Sequence, residues 1–217
     1  MAPIRVNTRT FVASCIMVAA LEFGLAHLDV SGLRASYLLL GACRLLEAVL
    51  LVIFTEWLGK SLADIGLCKR TLLHGALRGI YWSLGFGALA GVGMIIMFAM
   101  GQNPFVLLHG GAPRLSGWSL TVFFIVGGLV GPIAEELFFR GILYGFVRRW
   151  GVIAALVVST ALFVMCHRVG GRIPFTQVVG GLVFALSYEK EKNLMAPIVL
   201  HVAGNVSLFS LPLLLGG

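Results

Sequence analysis

Apolar residues along this chain come in long unbroken runs, with neither the alternation of a half-buried strand nor the one-sided stripe of a surface helix. The runs cover residues 11–28, 35–57, 80–100, 118–147, 151–167, 174–188 and 194–215. Crossing a hydrocarbon core about 30 Å thick takes roughly 17–25 helical residues, so each run reads as a membrane helix. The fourth and the last are long enough to hide a break, and Gly131-Pro132 and Gly204 are where one is expected. The pattern therefore predicts an all-α polytopic membrane protein, residues 1–217 forming one transmembrane domain of about seven to eight helices. The first run follows Arg5 and Arg9 in the manner of a signal sequence. It contains Glu22 and lacks a convincing small-residue cleavage site, so it reads as a retained anchor.

Composition agrees. With 59% hydrophobic and 12% charged residues, and a mean hydropathy of +0.99, the chain cannot be a water-soluble globule, a disordered segment, a disulfide-rich module or a nucleic-acid binder. The net charge of +7 is then read as topology. Alternating loops from a cytoplasmic N-terminus put ten cationic residues inside: Arg5, Arg9, Lys60, Lys69, Arg70, Arg78, Arg148, Arg149, Lys190 and Lys192. Four fall outside: Arg34, Arg114, Arg168 and Arg172. This predicts that the N-terminus and the loop at 58–79 lie in the cytoplasm; the expected location is a bacterial plasma membrane. Trp57, Trp82, Trp118 and Trp150 fall near predicted span ends, where indoles prefer to sit. The four cysteines, Cys15, Cys43, Cys68 and Cys166, show no CxxC spacing and read as small packing residues. The glycine pairs Gly87/Gly91, Gly127/Gly131 and Gly141/Gly145 have the spacing that lets membrane helices approach closely.

Ionisable groups inside a bilayer cost about 2.5–3.5 kcal/mol each on insertion scales, so each needs a partner or a task. Glu22, Arg44, Glu47, Glu135, Glu136, Arg140 and His201 lie within runs, and His167 lies at a run's end. Arg44 and Glu47, three apart, read as an internal ion pair; Glu22 has no local partner. In GPIAEELFFRG, Glu136 and Arg140 are four apart in the favourable order, which accounts for Glu136 as a structural anion. Glu135 projects about 100° away and is left without a cation, the condition for a general base. Phe163 and His167 share one helix face, and His201 and Asn205 share another. His27, His74 and His109 have no such company.

These residue types suit hydrolysis. A carboxylate can take a proton from water, an imidazole can orient that water, and an amide with a second imidazole can donate to a tetrahedral oxyanion. Two histidines and a glutamate could instead hold zinc, although HExxH is absent and asparagine is a poor zinc ligand. A Cys166–His167 nucleophile pair is weaker, since adjacent helical residues diverge. A non-catalytic immunity or transport protein with structural charges is the alternative from another class.

The motifs EELFFR (Glu135, Glu136, Arg140), FVMCH (Phe163, His167) and HVAGN (His201, Asn205) resemble the EExxxR, FxxxH and HxxxN motifs of the CPBP family. That family comprises type II CAAX prenyl proteases, bacteriocin-processing or immunity proteases and Abi proteins. The match covers roughly residues 118–208, the expected catalytic core; within 1–100, whose role stays unassigned, only ADIGLCKR looks familial. The resemblance implies a glutamic intramembrane endopeptidase in which Glu135 is the base and His167 helps to activate water. His201 and Asn205 would form the oxyanion hole, with Glu136, Arg140 and Phe163 in support. It implies a membrane-associated peptide or protein substrate and no metal or other cofactor, with zinc the lesser alternative; neither prenylation nor an oligomeric state follows from it.

Overall fold

The computed structural model describes residues 6–28, 32–59, 61–104, 115–167 and 174–214. Arg5, Lys60, His109, Arg114, Arg168 and Arg172 lie outside the described residues, so the charge count is not tested there. The described residues contain no strand. Helices α1 (Thr8–His27), α2 (Leu33–Trp57) and α3 (Leu72–Ala99) precede one long helical path, α4 (Gly117–Trp150). Then come α5 (Val152–Cys166), α6 (Phe175–Glu191) and α7 (Met195–Leu214). Each of the seven runs becomes a helix. Among the described residues, α1 to α4 contain stretches long and apolar enough to cross a bilayer by themselves; α5, α6 and the apolar part of α7 are shorter.

α4 is the axis of the molecule. Over its most apolar window 56% of residues are buried inside the protein, against 17% and 22% for α1 and α2 and none for α3. Leu84, Leu89, Ile95 and Phe98 of α3 instead stay exposed, as a helix bathed in lipid requires. α3 begins eight residues before the run at 80, so Trp82 is not at a helix end; its indole donates to Glu191 Oε1 at 2.9 Å.

The break expected at Gly131-Pro132 is absent. Val130 and Gly131 keep right-handed helical dihedrals, and the helix passes through as a π-helical turn, Val126–Val130. The wider turn absorbs the missing proline N–H without ending the helix. A second π-helical stretch, Leu137–Tyr144, follows Glu136. α7 likewise runs unbroken past Gly204, so the eight-helix alternative is not realised among the described residues.

The glycine pair that packs α3 is also not the expected one. A Cβ on Gly79 would lie 2.7 Å from Val199 Cβ and 2.8 Å from the Ala196 carbonyl of α7, whereas Gly87 and Gly91 have nothing within 4 Å. The loop between α2 and α3 docks beneath α6 and α7. Gly66 turns with φ +78°, its carbonyl accepts from Leu194 N at 3.1 Å, and Tyr188 Oη donates to the Ile65 carbonyl at 2.9 Å. This contact places ADIGLCKR against the junction of α6 and α7.

Candidate active site

The Glu136–Arg140 pair lies at the bottom of the site, and both side chains are fully buried. Arg140 Nη1 donates to Glu136 Oε1 at 2.8 Å, and Nη2 donates to the Gly181 carbonyl of α6 at 3.0 Å. The guanidinium carbon lies 4.6 Å from the Phe163 ring centre and 5.3 Å from that of Phe184, so aromatic faces help to stabilise the cation where water cannot. Glu136 does more than neutralise Arg140. The same Oε1 accepts from His201 Nδ1 at 2.8 Å, which makes Glu136 the orienting partner of that imidazole. Spacing within α4 gave no sign of this contact, because it comes from α7, 65 residues away.

His167 is held similarly by a different acceptor. Its Nδ1 lies 2.8 Å from the Phe163 carbonyl, and its ring lies 4.4 Å from the Phe163 ring. A carbonyl can only accept, so Nδ1 carries the proton and Nε2 of the neutral ring is a bare lone pair. His201 Nδ1 donates to Glu136, which leaves its Nε2 to face Glu135. Phe184 stacks on the His201 ring at 4.4 Å and 22°.

Both Nε2 atoms turn toward Glu135. Its Oε2 lies 3.6 Å from His167 Nε2 and 3.8 Å from His201 Nε2, and this oxygen is buried without a hydrogen-bond partner among the described residues. Glu135, on α4, is thus spatially joined to α5 and α7. Asn205 reaches the same helix higher up, where its Nδ2 donates to the Gly127 carbonyl at 2.8 Å. Glu135 and His167 keep side-chain exposures of 19% and 28%, so the cluster opens on one side and is not sealed within the core. None of its residues lines the 390 Å³ groove along Arg78, Tyr81, Trp82 and Val183.

Three participants had no distinguishing mark in the sequence. Phe184 is one apolar residue among many, Gly127 acts through its carbonyl, and Gly181 fits because a Cβ there would lie 3.1 Å from Phe163. Glu22, without a local partner in the sequence, finds one across the helix pair: Arg44 Nη1 lies 2.5 Å from both Glu22 Oε1 and Glu47 Oε2.

A zinc ion bound at about 2.0–2.2 Å draws its ligand atoms to within roughly 3.5 Å of one another. Among the described residues, the group of three ligand types with atoms within 4.8 Å of each other is Glu22, Cys43 and Glu47. The Glu135–histidine set is not so gathered, and the Glu22 group already surrounds the Arg44 cation.

Comparison with known proteins points the same way as the geometry. The profile of the family described as Rce1-like, type II CAAX prenyl endopeptidase, matches residues 117–207. The membrane-embedded CAAX protease MroQ of Staphylococcus aureus (strain USA300) is 30% identical over 93 residues, covering 40% of this chain and 37% of MroQ. YdiL of Bacillus subtilis (strain 168), named as a candidate membrane peptidase, is 29% identical over 89 residues, covering 40% of this chain and 36% of YdiL. The chain thus spans little more than a third of the length of these relatives. No solved structure matches it. The matched stretch contains all three polar motifs on membrane helices, and over residues 117–207 the chain is similar to the Rce1-like, type II CAAX prenyl endopeptidase family.

Proposed function

We propose that the chain is an intramembrane endopeptidase of the glutamic type, hydrolysing a peptide bond of a membrane-associated substrate with Glu135 as general base. The observation that carries this reading is the convergence of Glu135 Oε2, His167 Nε2 and His201 Nε2 within 3.6 and 3.8 Å. Glu135 Oε2 and His167 Nε2 are acceptors, so a water between them donates both protons and turns a lone pair outward to the scissile carbonyl carbon. As the new C–O bond forms, Glu135 takes one proton. The carbonyl oxygen becomes an oxyanion, which accepts from the second Nδ2 hydrogen of Asn205. It also accepts from His201 Nε2–H; for this role the ring carries both protons from the outset, as the imidazolium partner of the Glu136 carboxylate. The proton on Glu135 then passes to the leaving amine as the C–N bond breaks. No step needs a metal, and the spread of the Glu135–histidine set supports that choice.

The test compares the membrane proteome of cells carrying wild-type protein with that of cells carrying Glu135→Gln. Substrates are expected to accumulate uncut in the variant, and their cleavage by purified wild-type protein is expected to survive a chelator. Identical proteomes would favour a non-catalytic membrane protein; loss of cleavage in chelator, restored by zinc, would favour the metal reading.

A further inference from the structure

Asn205 is the member of the cluster whose side chain is bonded to the backbone of α4, and the reason lies in that backbone. In the π-helical turn, Gly131 N–H reaches back five residues to the Val126 carbonyl. In that register the donor due to the Gly127 carbonyl is the nitrogen of Pro132, which carries no hydrogen. The Gly127 carbonyl is therefore orphaned by its own helix at membrane depth, where no bulk water can replace the donor. Asn205 Nδ2 supplies the missing hydrogen from α7 at 2.8 Å. A carbonyl admits only the nitrogen side of the amide, so the orientation of the Asn205 side chain is determined as well.

We infer that Asn205 is a positioning residue for Glu135, acting through the carbonyl that Pro132 leaves unpaired. The inference rests on the base role proposed for Glu135. A π-helical turn holds one residue more than an α-helical turn, so its collapse would rotate everything beyond it by about 100°. Glu135 stands three residues past Pro132, within reach of that rotation. The Asn205–Gly127 bond holds the turn open from α7, and His201–Glu136, also 2.8 Å, joins the same two helices on the other side of Glu135. The two bonds fix the register of α4 against α7, and with it the gap from Glu135 to His201. One hydrogen of the Asn205 amide remains for the substrate oxyanion, so both uses are compatible.

A double-mutant cycle of Asn205→Ala with Pro132→Ala separates positioning from oxyanion binding, because Pro132→Ala restores the N–H that the Gly127 carbonyl lacks. Asn205→Ala alone is expected to lower the unfolding temperature of the purified full chain by about 3–6 °C and kcat on the order of tenfold to a hundredfold. With Pro132→Ala present, the loss of unfolding temperature is expected to shrink by more than half, and the loss of kcat is expected to be smaller, reduced to the share that belongs to the oxyanion. An Asn205 that only binds the oxyanion loses as much kcat in either background, and that result overturns the inference. A second pair avoids Pro132 altogether. Asn205→Asp places a carboxylate against the Gly127 carbonyl and is expected to unfold at a lower temperature than Asn205→Leu; the reverse order also overturns it. The unfolding measurements need no activity, so if Glu135→Gln cleaves normally the base assignment falls while the Asn205–Gly127 bond is still judged separately.

Discussion

Neighbouring carboxylates, Glu135 and Glu136, have opposite surroundings, and conservative substitution separates them. Glu135→Gln keeps the shape and removes the base, so cleavage is expected to fall by at least about a hundredfold while the protein accumulates normally. Glu136→Gln leaves Arg140 buried with a neutral partner, a defect on the order of 3–5 kcal/mol, and replaces the carboxylate that His201 Nδ1 donates to with an amide oxygen, a weaker acceptor. It is expected to lower thermal stability in detergent and also the activity of the fraction that folds. Arg140→Gln is expected to share the stability loss while leaving the His201 contact in place. The double variant, with no stranded charge, is expected to be less damaged than the two single losses added together, as unfolding of the four proteins measures. Wild-type cleavage by Glu135→Gln together with an inactive, folded Glu136→Gln would reverse the assignment of the base. The sequence separates these carboxylates because Arg140 lies one turn from Glu136 only. It is silent on the His201 bond, since no local spacing encodes a contact between α4 and α7.

At the scale of helices, small residues matter where another backbone approaches, and the four-residue spacing does not say where that is. Gly79→Val would place branched carbons where a Cβ already lies 2.7 Å from Val199, so it is expected to push α3 off α7 and lower stability by about 1–3 kcal/mol. Gly87→Val and Gly91→Val face open space and are expected to be neutral within about 0.5 kcal/mol in the same unfolding measurement. The physical difference is that Gly79 lies against Ala196 and Val199 of α7, whereas Gly87 and Gly91 have nothing within 4 Å. α4 makes a related point: a Gly-Pro pair that ends most helices is carried through because a π-helical turn and a donor from α7 compensate for it.

For the whole molecule, two predictions concern its orientation and its loop end. In single-cysteine proteins, Cys68 in the loop between α2 and α3 is expected to react with membrane-impermeant reagents from the cytoplasmic side only. Labelling from outside would invert the topology drawn from the ten cationic residues against four. Past the apolar part of α6, Glu189 joins α6 to the end of α4. Burial by itself raises its carboxyl, but hydrogen bonds from Arg148, Lys192 and Tyr144 outweigh it and hold the group at about 2. The folded value lies below the ordinary carboxylate value of about 4.3, so this stabilisation is complete above that pH and is lost as the pH falls toward 2. Glu189→Gln is accordingly expected to be less stable than wild type near neutral pH and to converge with it between about pH 4 and 2. A constant difference across that window would remove Glu189 from the acid response.

Hydrophobic run length and charge placement determined from sequence alone that the chain is helical and embedded in a membrane, because the bilayer imposes its thickness and its intolerance of charge on any sequence that crosses it. The seven runs, the Glu136–Arg140 and Arg44–Glu47 pairs and the shared faces of Phe163 with His167 and of His201 with Asn205 are local properties of a helix, and periodicity suffices to read them. Tertiary structure alone decided which helices meet. It paired Glu22 with Arg44, gave Glu136 its second partner in His201, set Phe184 on that imidazole and turned Asn205 to the Gly127 carbonyl. Each of these contacts joins residues on different helices, so it depends on the rotation and depth of one helix against another. Many sequence patterns are compatible with that relation, and packing selects one.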